Sequence, residues 1–339
     1  MMTGPSTLRF GSFLLALPMF AVLAQPAQAQ SVTPGFAADY SLTDLGPVSG
    51  VPVFYGGLTF KAGDPGKILI GGLANEAGGL IYEASVVRGI DSHITGFSGT
   101  AAAIGTVGTY NDGGVVYGPG GVLFTSQWPV NKLGQTKPGN TSEDKVIDLA
   151  PLGVAASHSA LNFVPAGFGG AGQMKLVSWA GGEFYRAIYA PDGSGTFDIS
   201  SVTQIDLDTT TPGVVDTLPG GPEGFVYITA GNPGFSANAM LLSEFSTGKI
   251  VAYDLDSEGN PLVVTRRELV IDLQGAEGAA IDPLTGDFLF STFGATGGDH
   301  VVVLRGFTEL PPGLPEPASA LLLAAGLAGL MLQRRKAGA

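Results

Sequence analysis

Ser157-His158-Ser159 sets hydroxyls on either side of an imidazole, the pairing that nucleophilic acyl transfer uses. Adjacent side chains of a strand point to opposite faces, so adjacency alone makes no dyad. His93 and His300 are the only other histidines, cysteine is absent, and neither G-x-S-x-G nor H-E-x-x-H occurs. A hydrolytic triad and thiol chemistry are therefore not expected. Two phosphate-loop spellings fail on context. "GFGGAG" (167–172) lies between apolar stretches instead of opening a helix, and "STGK" at Ser246 lacks the leading glycine and continues with Ile250. In "YDLDSEGNP" (253–261), Asp254, Asp256 and Glu258 alternate before Gly259 like the start of a calcium loop. Thr265 stands where such a loop needs a bidentate glutamate, so a hairpin turn accounts for it.

The elements around these residues follow from composition and repetition. With 53 Gly, 23 Pro and 45% hydrophobic residues, many short apolar strands must be joined by tight turns. Five segments superimpose: "GGLTFKAGDPGKILIGG" from Gly56, "GGVVYGPGGVLFTS" from Gly113, "SALNFVPAGFGGAGQMKLVSW" from Ser159, "EGFVYITAGNPGFSANAMLLSEF" from Glu223 and "EGAAIDPLTGDFLFSTF" from Glu277. Each carries a small residue (Gly57, Gly114, Ala160, Gly224, Gly278), then, three positions on, a large apolar one (Phe60, Tyr117, Phe163, Tyr227, Ile281). Third strands read "GLIYEASVVR", "EFYRAIYAP", "KIVAYDLD" and "HVVVLRGF". Fourth strands end in "VIDL" at Val146, "QIDL" at Gln204 and "VIDL" at Val270. Four strands in about 55 residues is a propeller blade, with small residues where inner strands crowd the axis. The fold class expected is all-β, a propeller of five four-stranded blades. A sixth is allowed if a weak blade hides in 89–112 or 129–145. "YSLTDL" (40–45) resembles a fourth strand and is expected to complete the last blade.

"EGAAIDPLTGDFLFSTF" and "PEGFVYIT" resemble the repeat of NHL-like, gluconolactonase-like and streptogramin-lyase-like propellers. In the metal-dependent lactonases of that group a glutamate before an inner strand helps hold a divalent cation. The resemblance implies that role for Glu223 and Glu277. A hard cation wants several oxygens, and Asp112 or Asn162 could add to the two carboxylates. The alternative is that both glutamates cap strand ends. Trp128, Trp179, Tyr55 and Tyr185 could stack on sugars at a propeller mouth or fill space between blades.

The ends concern location. Arg9, the apolar run of 10–23 and Ala27-Gln28-Ala29 make residues 1–29 a secretory signal, cleaved before Gln30. The propeller domain is expected over 30–310, about 285 residues with the short linker after it, enough to bury a core without disulfides. Setting aside Arg9, Glu316, Arg334, Arg335 and Lys336 leaves 12 basic and 28 acidic side chains, a net charge of −16. That field repels phosphate backbones, so nucleic acid is excluded as a partner. The region 314–339 resembles the PEP-CTERM sorting signal of Gram-negative exported proteins. Pro315, Glu316 and Pro317 form an extended motif, 318–333 a short membrane segment, and Arg334 and Arg335 a basic stop. The resemblance implies recognition by an exosortase, a membrane anchor before processing, and display at the cell surface or outside the cell.

Two functions are expected from these features. The first is an exported surface or matrix protein that binds extracellular polysaccharide or surface proteins, without catalysis and without a cofactor. The second is a lactonase-like hydrolase using calcium or another divalent cation. The sorting expectation is checked by replacing Pro315-Glu316-Pro317 with three alanines in a host that has the processing enzyme. The mutant should remain full-length in the membrane while the wild type is cut; two uncut proteins would reduce the tail to an anchor.

Overall fold

A computed structural model describes residues 29–208, 210 and 213–308. The secretory signal, all but Ala29, and the sorting residues Pro315, Glu316, Pro317, Arg334 and Arg335 lie outside the described residues. Among the described residues no helix is long and apolar enough to cross a membrane.

Among the described residues twenty-one strands form five sheets. Two precede the repeats, β1 (Ser31–Val32) and β2 (Ser41–Asp44). Blade 1 comprises β3 (Leu58–Lys61), β4 (Asp64–Gly72), β5 (Leu80–Arg88) and β6 (Ile94–Ala103). Blade 2 comprises β7 (Asn111–Tyr117), β8 (Leu123–Gln127), β9 (Lys132–Thr136) and β10 (Lys145–Asp148). Blade 3 holds β11 (His158–Phe163), β12 (Met174–Ser178), β13 (Phe184–Pro191) and β14 (Phe197–Ile205). Blade 4 holds β15 (Pro222–Ile228), β16 (Ala239–Glu244), β17 (Lys249–Asp254) and β18 (Arg267–Ile271). Blade 5 has β19 (Ala276–Ile281), β20 (Phe288–Thr292) and β21 (Val301–Arg305), and β2 pairs antiparallel with β21 as its fourth strand. The chain is thus an all-β propeller of five blades, closed by the strand that the sequence marks for that purpose.

The two segments that could hide a sixth blade are occupied otherwise. The region 89–112 supplies β6 and the start of β7, and 129–145 supplies β9. β6, "ITGFSGTAAA", and β9, "KLGQT", lack long β-branched runs because β6 is an exposed outer strand and β9 carries Gly134 in its centre. β1 is an addition that the repeats do not announce, pairing with β18 as a fifth strand of blade 4.

Successive residues of the middle strands feed different layers. Met174 and Leu176 pack toward blade 2, whereas Val177 packs toward blade 4. Leu241 joins the layer between blades 4 and 5, while Met240 and Leu242 join the layer between blades 3 and 4. Both sheet faces are therefore apolar, and each blade is held by its neighbours.

At the axis the small residues do what their size allows. A Cβ on Gly278 would lie 2.5 Å from the Gly57 Cα, and one on Gly57 would lie 2.6 Å from the Val115 nitrogen. On Gly114 it would meet Ala160 and Leu161 backbone, and on Gly224 the backbone of Gly278 and Ala279. Hydroxyls stitch the strands. Ser126 Oγ accepts from Gly114 N–H and donates to the Ser159 carbonyl (2.6 Å), Ser291 Oγ accepts from Gly278 N–H and donates to the Gly56 carbonyl (2.6 Å), and Ser159 Oγ donates to the Pro222 carbonyl (2.8 Å).

Gly278→Ala should lower stability by about 2–3 kcal/mol through overpacking against backbone that cannot yield. Gly96→Ala, where a Cβ meets nothing within 4 Å, should leave it unchanged. Denaturant melts of the two variants check this, and equal midpoints would contradict it.

Candidate functional site

Four of the five inner strands begin with a register irregularity. Between β15 and β16 the pairing passes from Pro222↔Glu244 to Phe225↔Leu242, so Glu223 and Gly224 oppose Ser243 alone. Between β19 and β20, Glu277 and Gly278 likewise oppose Ser291 alone. Between β7 and β8 three residues, Asp112, Gly113 and Gly114, oppose Ser126. A bulge releases a residue from the ladder and re-aims its side chain. The additional residue in β7 explains why Asp112, one position out of step with the glutamates, reaches the same place. Their carboxylate oxygens come within 4.8 Å of one another.

These groups are buried: Asp112 is 1% exposed, Glu223 4% and Glu277 2%. Gly113 lacks a side chain where a Cβ would sit 2.6 Å from Glu223 Oε2, so glycine there makes room for the carboxylate. None of the three forms an ion pair with a described cationic side chain. Burial pushes all three pKa values up. For Glu223 the Asp112 charge adds to it, and for Glu277 the charges of Glu223 and Asp112 add further. Asp112 is pushed up to about 7, with partial relief from the Glu277 carboxyl, the Gly113 backbone and the Asn75 amide.

Asp112 Oδ2, Glu223 Oε2, Glu277 Oε1 and Asn75 Oδ1 are buried with no hydrogen-bond partner. All four residues line one cavity of about 350 Å³ at one mouth of the channel. The donor set suits a hard divalent cation. It is all oxygen, no histidine lines the cavity, and ligands at about 2.3–2.6 Å span up to about 5 Å across a calcium ion. Asp112, Glu223 and Glu277, with Asn75 beside them, would hold such an ion, which would supply Lewis acidity and an anchor for a ligand oxygen.

The other sequence candidates separate from this site. Asn162 donates to the Phe225 carbonyl and lines a smaller cavity with Phe60, Tyr117, Phe163, Tyr227 and Ile281. His158 is buried and held neutral, its pKa lowered to about 4 by desolvation. No hydrogen bond joins it to a neighbouring serine, and Ser159 is engaged with backbone. The "YDLDSEGNP" stretch is a turn in which Asp256 accepts from the Glu258 and Asn260 amides. Tyr55 and Tyr185 sit between blades, each with its hydroxyl on backbone.

Trp128 and Trp179 do reach the mouth, with Phe54, Phe245 and Phe293. Four of these hold one repeat position, directly after the second strand. Each donates its N–H to the residue preceding its own blade's inner strand: Trp128 to Tyr110, Trp179 to Ser157, Phe245 to Gly221 and Phe293 to Gly275. Leu73 occupies that position in blade 1, and Phe54, its N–H held by Asp299 Oδ2, supplies the ring instead. The recurrent "SQW", "SEF" and "STF" endings are the signal that sequence reasoning had available for Phe245 and Phe293.

No family model matches this chain, and no curated protein matches it. Solved structures of similar outline include an auxiliary nutrient binding protein from Bacteroides ovatus (10% identity, 79% of this chain and 76% of that one, TM-score 0.41). A luciferin-regenerating enzyme (13%, 78% and 82%, TM-score 0.43) and a streptogramin B lyase (10%, 79% and 98%, TM-score 0.36) are others. At these values none bears on the chemistry of the site.

The raised carboxyls give a pH signature in the cation-free protein. A group whose pKa is higher folded than unfolded contributes stability in full below the unfolded value, near 4, and loses it as pH rises through the folded value. In chelator, acidification from pH 8 to 5.5 should therefore favour wild type over Glu277→Gln, by at most about 1.4 kcal/mol per pH unit per group. Paired thermal melts measure this, and a pH-independent difference between the two proteins would contradict it.

Proposed function

We propose that this chain is an exported propeller that binds a small ligand at one mouth of its channel in a manner dependent on a divalent cation of the calcium class. The observation that carries this reading is the convergence of four partnerless buried oxygens from Asn75, Asp112, Glu223 and Glu277. Leaving such groups unpaired costs about 1–3 kcal/mol each, more when charged, so a protein retains them where something else satisfies them. Export is supported by the secretory pattern in 1–29 and by the likeness of 314–339 to an exosortase-processed tail. Extracellular polysaccharide is the matching partner, because the acidic body disfavours anions and the mouth is rimmed by aromatic rings.

A second reading, a cation-dependent lactonase-like hydrolase, draws on Glu76. This exposed carboxylate lines the same cavity and makes no ion pair among the described residues, so it is free to take a proton from water. In that reading Asp112, Glu223 and Glu277 hold the cation that polarises an ester carbonyl, and the aromatic rim excludes bulk water.

Metal analysis of the purified protein and thermal melting in calcium and in chelator test the common premise. At a hundredfold excess over Kd, calcium should stabilise by about 2.7 kcal/mol. Glu223→Gln and Glu277→Gln should lose that gain while folding at least as well as wild type in chelator, since each removes a buried acid. No copurifying metal together with identical melts in calcium and chelator would remove the basis of both readings. Turnover of a lactone panel abolished by Glu76→Gln would favour the hydrolase.

A further inference from the structure

We infer that the ligand of this mouth is an uncharged polyhydroxylated ring, a pyranoside, stacked on a broken aromatic collar. The inference rests on the reading of the mouth as a small-molecule site and names its ligand class. Around the axis the rings of Phe54, Phe293, Phe245 and Trp179 form a continuous arc, with successive centroids 5.0, 5.9 and 6.4 Å apart. Trp128 holds the same repeat position in blade 2, the next blade round from Trp179. No ring contact joins it to the arc among the described residues, and Asn75 and Glu76 of blade 1 line the same mouth. The mouth thus has an apolar side, a polar side and an oxygen-rich floor.

That division matches one kind of molecule. A pyranose has a face of C–H groups that packs on aromatic rings and an equator of hydroxyls that takes hydrogen bonds from an amide and gives them to a carboxylate. Hydroxyls directed at the floor would meet the carboxylates or the cation they hold. Anionic ligands are matched less well, because no lysine or arginine lines the cavity to pair with their charge. An organic ammonium is matched less well, because such a head is enclosed by aromatic faces and here the ring of aromatics is interrupted by polar groups. The volume of about 350 Å³ is at the small end for ligand pockets, so one terminal sugar is taken in, not an extended chain.

Trp128 and Trp179 are the only tryptophans of the chain, so tryptophan emission, excited selectively over that of the nine tyrosines, reports this mouth. The titrants are methyl α-D-glucopyranoside, methyl α-D-galactopyranoside, methyl α-D-mannopyranoside, glucuronate and tetramethylammonium, each in calcium and in chelator. Expected is a saturable emission change with at least one neutral pyranoside at concentrations up to ~100 mM, far above the Kd of millimolar binding. It should weaken about tenfold in Phe245→Leu and in Phe293→Leu, which keep apolar volume but remove the π face. Melting temperatures near wild type for these leucine variants separate lost recognition from lost fold. Saturation by tetramethylammonium or glucuronate without any neutral pyranoside, or no response to any pyranoside, overturns the inference. Calcium-dependent melting without a pyranoside response would leave the cation reading standing and this one refuted. A pyranoside response identical in chelator would do the reverse.

Discussion

Five inner strands meet around one axis at distances that only glycine and alanine permit, and the site exists because of that crowding. Gly57, Gly114, Ala160, Gly224 and Gly278 let backbone face backbone, and the hydroxyls of Ser126, Ser159 and Ser291 bridge neighbouring strands there. Where strands come this close, four of the five inner ladders break register at their start. The bulges at the starts of β7, β15 and β19 free one acidic residue each, and the geometry leaves those residues only the axis to point at. The same constraint that closes the ring therefore gathers carboxyl groups at its mouth.

Three carboxyls in a buried space are a liability for the fold alone. Each loses hydration on burial, and Glu223 and Glu277 are further opposed by neighbouring carboxylate charge, which is why all three resist ionisation. No described lysine or arginine neutralises them, although elsewhere the chain pairs buried acids readily: Glu244 is gripped by Arg266 and Asp282 by Arg88. The chain supplies arginines to Glu244 and Asp282 and none to Asp112, Glu223 and Glu277, an arrangement that the proposed cation would complete. Stability is given up locally for an opening that faces solvent through aromatic rings.

The repeat of small residue, three-residue step and large apolar residue made the blades and their inner strand pairs legible, and "YSLTDL" was legible as the closing strand. β6 and β9 were not, because outer or glycine-bearing strands need no long apolar run once their neighbours are in place. At the site, Glu223 and Glu277 followed from their place before a small residue and from the family likeness. Asp112 entered only as a helper, since its phase depends on a bulge one residue longer than the other two, and a bulge leaves no mark on residue type beyond the doubled glycine after it. Asn162 was read as a helper for the opposite reason. Alternation along β11 cannot tell which end of the channel a polar side chain serves. Of the aromatic collar, Trp128 and Trp179 were legible as stacking candidates, whereas the position that Phe245 and Phe293 share with them becomes plain only in the strand register.

The idea that the axis gathers three carboxyls into one cation site is tested most directly by diffraction from crystals grown with a lanthanide in place of calcium. Anomalous scattering should give one peak on the propeller axis, within bonding distance of Asp112, Glu223 and Glu277, at the mouth that carries the aromatic rings. Absence of a peak there at saturating lanthanide, or a peak held by other residues instead, would contradict it.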